Sequence, residues 1–100
     1  MQSSRKDDIL EITLEGDLVA SNLEEQDATL RKLLAEQSGV AQLHLNLGNV
    51  VEIDSLGVNL VVALYKELKL KEITFAVTNT SRQIKNLFNE DVEYEQNNNV

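Results

Sequence analysis

The chain has 100 residues, 42% of them hydrophobic, and a formal net charge of −8. That length suits one domain with one modest core, and that apolar fraction is ordinary for a folded soluble protein. The acidic balance argues against nucleic-acid backbones as partners, and the lack of cysteine removes disulfides, thiolate nucleophiles and cysteine-bound metals.

The N-terminal MQSSRKDDILEITLEG carries no apolar segment of signal-peptide length, and the longest apolar run, Leu60–Tyr65, is far short of the roughly 20 residues that span a bilayer. A cytoplasmic location without direct membrane insertion is therefore expected. Residues 1–8 read as a lead-in. Ile9–Leu14 is a strand, with Leu10, Ile12 and Leu14 on one face at period two. Glu15-Gly16-Asp17 supplies turn chemistry, and Leu18-Val19-Ala20 is a short second strand, so a hairpin is expected here.

Ser21-Asn22-Leu23-Glu24 has the form of a capping box, in which a hydroxyl accepts from one free N–H and a carboxylate three residues later reaches back. The helix that follows runs to about Gln37, with Leu23, Leu30, Leu33 and Leu34 on one side and Ser38-Gly39 to stop it. Val40–Leu47 is a strand whose Leu43, Leu45 and Leu47 share a face. Gly48-Asn49 interrupts it, and Val50–Ile53 leads to Asp54-Ser55 and a second long helix. Glu72–Thr78 is a further strand, Thr80-Ser81-Arg82-Gln83 opens a third helix carrying Ile84, Leu87 and Phe88, and Asp91–Glu95 adds a final extended segment. Gln96–Asn99 reads as a frayed tail. The order predicts an α/β fold, a mixed sheet of four to five strands with helices packed against it, as one domain over 9–95 with a tail at 96–100.

The second helix gives the chain its one candidate for chemistry. At 100° per residue Ser55, Asn59, Val62, Lys66 and Lys69 form one stripe, while Leu60, Val61, Leu64, Tyr65 and Leu68 cover a broad packing arc. Asp54 and Ser55 stand at its start, where free N–H groups and the positive dipole end favour an acceptor or an anion. Either residue can serve as an ordinary N-cap. Alternatively, Ser55 accepts a phosphoryl group, whose charge a helix start welcomes. Gly57, lacking a side chain, would let another protein come close.

VVEIDSLGVNLVVALYK, Val50 to Lys66, resembles the signature of STAS domains, typified by bacterial anti-sigma factor antagonists (anti-anti-sigma factors): two hydrophobics, Asp-Ser, a small or hydroxyl residue, Gly, then an apolar helix that can end in Tyr-Lys. The resemblance extends over about residues 9 to 90. Leu14-Glu15-Gly16-Asp17-Leu18 is similar to the family's turn between its first two strands, Leu43–Leu47 with Gly48-Asn49-Val50 to its buried strand and turn, and Phe75-Ala76-Val77-Thr78-Asn79 to its last main strand. The resemblance implies a transcription-regulating phosphoprotein that works by partner switching. Unphosphorylated, it binds an anti-sigma factor that is also a serine kinase. Phosphorylated on serine it lets go, and a PP2C-type phosphatase resets it. It implies no cofactor, no metal and no catalysis by this chain.

Three departures bear on that expectation. The family's usual phosphoacceptor, the second residue after Asp, falls on Leu56, which leaves Ser55 as the hydroxyl. Val19 stands where many relatives have an acid, and Asn46 where an Asp is common. Losing two acids near the loop reduces repulsion of a phosphate and so favours Ser55. The expected partner surface comprises Ser21, Asn22, Asp54, Leu56, Gly57, Asn59 and Val62 around phosphorylatable Ser55. A non-switched structural subunit of a transporter or signalling assembly is the alternative. His44 has no ligand companions in sequence, and Asp7-Asp8, Glu24-Glu25 and Glu90-Asp91 read as solvated acids.

Overall fold

A computed structural model describes residues 1–88 and the backbone of Tyr94–Glu95. The elements in chain order are β1 (Gln2–Lys6), β2 (Ile9–Thr13), α1 (Leu23–Ala35), β3 (Gln42–Asn46), α2 (Ser55–Leu70), β4 (Thr74–Thr78), α3 (Arg82–Phe88) and β5 (Tyr94–Glu95). The strands lie side by side in sequence order, β1 antiparallel to β2 and every later pair parallel.

That order explains where the core sits. Each crossover steps to the next strand in the same direction, and with the usual right hand it returns every helix to the same face. The register agrees. Leu10, Leu43 and Phe75 form one row across β2, β3 and β4, and Ile12, Leu45 and Val77 form the next. All six are buried and join one cluster with Leu30 of α1, Val61, Leu64 and Leu68 of α2, and Ile84 and Phe88 of α3. The opposite face carries Glu11, His44 and Ala76 in a row, and Thr13, Asn46 and Thr78 in another. Among the described residues no group of three acid, histidine or cysteine side chains could hold a metal, so His44 has no ligand set there.

The expected hairpin between Ile9–Leu14 and Leu18–Ala20 does not form. β2 instead turns back on β1 through the two-residue loop Asp7-Asp8, with Lys6 opposite Ile9. Asp7 adopts φ 55°, a left-handed conformation that aspartate tolerates better than most residues, and its carbonyl accepts from Arg5 Nε at 2.8 Å. The stretch read as a lead-in is thus the edge strand. Its five residues are all exposed, so there was no buried face to print an alternation, and its Arg5-Lys6 is the charge that edge strands commonly carry. Leu18 pairs elsewhere, in an isolated parallel bridge with Ile53.

Other differences are local. β3 and β4 are shorter than the strands expected over Val40–Leu47 and Glu72–Thr78, and α1 ends at Ala35, before the expected Gln37. α3 is capped by Ser81, whose Oγ accepts from Ile84 N–H at 3.2 Å, rather than by Thr80. Of the final segment, Tyr94–Glu95 pairs with Val77 and Thr78. The tail at 96–100 lies outside the described residues.

On the helical layer Arg31 joins α1 to α2. Its Nε donates to Asp27 at 2.7 Å, and its two Nη groups donate to both oxygens of Glu67 at 3.1 and 2.7 Å. These hydrogen bonds hold the Glu67 carboxyl below its ordinary range, partly opposed by desolvation, and raise the guanidinium further above its own. No helix among the described residues is long and apolar enough to cross a membrane.

Candidate partner-binding site

The loops after β2 and β3 meet at the C-terminal end of the sheet, and five backbone and side-chain hydrogen bonds tie them together. Leu18 N–H donates to Glu52 O at 3.0 Å and Asp54 N–H to Leu18 O at 3.1 Å, a short parallel ladder outside the sheet. Asp17 reaches from the first loop, and its Oδ1 accepts from Val51 N–H at 3.1 Å and Glu52 N–H at 2.9 Å. Asp54 reaches back from the second: Oδ2 accepts from Ala20 N–H at 2.8 Å and Oδ1 from Gly57 N–H at 2.9 Å. Each loop therefore lends a carboxylate to the other's backbone.

This settles which residue caps α2. Asp54 is the N-cap, in an extended conformation with its side chain on Gly57 N–H. The Ser55 hydroxyl is left over. It is exposed at the first position of the helix and makes no hydrogen bond among the described residues. Leu56 beside it is half exposed and Asn59 is exposed one turn on, while Val62 is partly buried against the core.

Gly57 corrects the expectation placed on it. It is buried, and the space its missing side chain leaves is filled from within by the Leu18 carbonyl and by Ile53. The close approach is between α2 and the first loop, so Gly57 serves packing and offers nothing to a visitor.

The Ser21-Asn22 loop is also built differently from the expected capping box. Asn22 occupies the cap position of α1 without a side-chain cap bond. Its Oδ1 turns back to Val19 N–H at 3.3 Å, while its own N–H donates to Val19 O at 3.0 Å, closing a tight turn. Ser21 stays exposed at the tip. Gln26 straps this loop to α1, its Nε2 donating to Glu15 O at 2.9 Å and Asp17 O at 3.4 Å.

Ser21, Asn22, Asp54, Ser55, Leu56 and Asn59 are thus brought to one end of the molecule. Sequence reasoning missed Asp17, which it took for a turn residue, and Val51 and Leu87, which are exposed apolar side chains near the same end. The two loops, Leu14–Asn22 and Leu47–Asp54, contain Glu15, Asp17, Glu52 and Asp54 and no lysine or arginine. The surface is acidic with apolar residues set into it.

Two predictions arise here. Asp17→Ala removes two charge-assisted bonds but leaves N–H groups that water reaches, so it is expected to cost about 1 kcal/mol in urea unfolding; no loss would remove Asp17 from the loop junction. The Asp54 carboxyl is held below its ordinary value of 3.8, first by Gly57 N–H and then by Ala20 N–H, with desolvation opposing. Its contribution is complete above that ordinary value and is lost as pH falls through the depressed one. The Ala20 and Gly57 amide resonances should titrate together, with a midpoint below 3.8. Separate midpoints, or one above that value, would contradict the shared carboxylate.

Comparison with known proteins supplies the frame for this geometry. A profile of the STAS domain matches residues 1–90. The anti-sigma factor antagonist SpoIIAA, solved in its unphosphorylated form, superimposes with a TM-score of 0.71 at 22% identity, over 94% of this chain and 86% of its own. RsbS of Moorella thermoacetica, solved with a glutamate in place of a serine, does so with a TM-score of 0.69 at 15% identity, over 95% of this chain and 87% of its own. At such identities the superpositions concern the fold, and the fold expected from the Asp54-Ser55 signature is the one observed. With a profile match that runs from β1 through β4 and takes in all three helices, the chain belongs to the STAS domain family.

Proposed function

We propose that this protein is a partner-binding switch of the anti-sigma factor antagonist kind. In its unmodified state the acidic, apolar-studded end of the molecule binds an anti-sigma factor that is also a serine kinase. The kinase, with its own Mg-ATP, transfers a phosphoryl group to Ser55: the serine oxygen bonds to the γ-phosphorus, the bond to ADP breaks, and the hydroxyl proton leaves to a base of the kinase. The added charge then ends the contact, and a PP2C-type phosphatase restores the hydroxyl. The chain contributes no catalysis of its own and acts in the cytoplasm.

The observation that carries this reading is the division of labour at the start of α2. Asp54 takes the capping role, so the neighbouring hydroxyl is exposed and uncommitted beside a helix dipole that favours an anion. The test is incubation with the candidate kinase and Mg-ATP followed by mapping of phosphate by mass spectrometry. Phosphate on Ser55 supports the proposal and phosphate on any other residue defeats it. Partner binding with no phosphate incorporated would assign instead the non-switched subunit role, for which Leu56 at the usual acceptor position speaks.

A further inference from the structure

At the end of α2 remote from Ser55 lies a cavity of about 300 Å³ between the C-terminal halves of α1 and α2, above the starts of β3 and β4. We propose that it binds a small carboxylic acid with an apolar tail, a role separate from the switch surface.

The size and lining set the body of the ligand. The space is a cleft partly open to solvent, and small-molecule sites begin at about this volume. The space equals roughly ten waters at about 30 Å³ each, enough for a chain of about eight carbons with its head group. Its walls are Leu34, Val40, Leu64, Leu68 and Ile73. A polar ligand body would lose its hydration there and find nothing in return.

The mouth sets the head. Its polar side chains are Arg31, Gln37, Glu67 and Lys71. Each Glu67 oxygen already accepts from Arg31, which pairs its charge, and Gln37 Oε1 accepts from Arg5 Nη1 at 3.1 Å. Several donors are left over. Arg31 uses three of the five N–H groups of a guanidinium, the Gln37 amide nitrogen is uncommitted, and Lys71 forms no ion pair among the described residues. With Arg31 paired to Glu67 and Asp27, Lys71 is the cation the lining leaves over, and it and the spare N–H groups fit an acceptor-only anionic group such as a carboxylate.

The test is titration of octanoate at pH 7 into the full ¹⁵N-labelled chain. Saturable shifts are expected at the amides of Val40, Leu68 and Ile73. Lys71→Gln should weaken binding two- to fivefold, as expected for an exposed ion pair, and 1-octanol, with the same tail and no charge, should bind more weakly than octanoate. Ala35→Phe, an exposed position on the cavity wall, should block the site, and Lys71→Gln carries the test should that larger variant not fold. Shifts that never saturate or that cluster around Ser55, indifference to Lys71→Gln, or octanol binding as tightly as octanoate would each overturn the proposal.

Discussion

Gly57→Ala is expected to lower the free energy of unfolding by about 2 kcal/mol. On an exposed helix the same change would add stability, since alanine is about 1 kcal/mol better than glycine inside a helix. Here the new Cβ would lie 2.8 Å from Ile53 Cγ1 and 3.0 Å from Leu18 Cβ, and closer still to the Leu18 carbonyl oxygen. Ile53 could turn aside; the Leu18 backbone cannot, because its N–H and carbonyl are both committed to the second loop. Overpacking of this kind costs typically about 1–3 kcal/mol, more where backbone must move, which outweighs the gain in helix propensity. Relief would come by lifting α2 from the first loop, so the Leu18 and Asp54 amides should lose protection from hydrogen exchange before the core amides of Leu43 and Leu45 do. Unchanged stability, or protection lost evenly through the sheet, would show that the helix and the loop are less tightly apposed than described.

Ser55→Asp is expected to weaken binding of the proposed kinase partner by about 30-fold or more, while Ser55→Ala leaves it within a few-fold of wild type. Leaving an interfacial charge buried and unpaired costs about 2–5 kcal/mol, and about 1.4 kcal/mol is a factor of ten. The surface that would meet the partner is already acidic through Glu52 and Asp54, so any basic groups opposite it are claimed before another carboxylate arrives. The fold itself should not suffer. An acid at the first position of a helix interacts favourably with the dipole by a few tenths of a kcal/mol, and the Asp54 cap is untouched. Equal urea midpoints with unequal affinities is the expected pair of results. Equal affinities for the aspartate and alanine variants would remove Ser55 from the interface.

How far this was legible in the sequence depended on the range of the contacts involved. Leu10, Ile12 and Leu14, and Leu43, Leu45 and Leu47, wrote the core face of two strands at period two, and all six are buried. Of the stripe Ser55, Asn59, Val62, Lys66 and Lys69 on α2, the four polar members are exposed and Val62 is partly buried against the core, because a helix buries what its own 3.6-residue period collects. β1 was not legible, because an edge strand outside the helical roof has no buried side from which a pattern could arise. Nor was the lacing of the loops. Asp17 bonds across 34 and 35 residues and Asp54 across 34, and no local periodicity reports on partners so distant. Gly57 was found as a special position but given the wrong neighbour for the same reason: the sequence says that something must come close, not that it is Leu18 of the same chain.

The mutual hold of Asp17 and Asp54 bears on how fast and how tightly any visitor can engage. A flexible pair of loops would have to be frozen at the moment of docking, and immobilising side chains and backbone subtracts from the affinity gained. Here that cost was met when the chain folded, so encounter should resemble lock-and-key fitting, with little reshaping of the main chain. Differences in affinity among variants of this surface should then be written mainly in residence time, with arrival rates shifting only where a charge is added or removed.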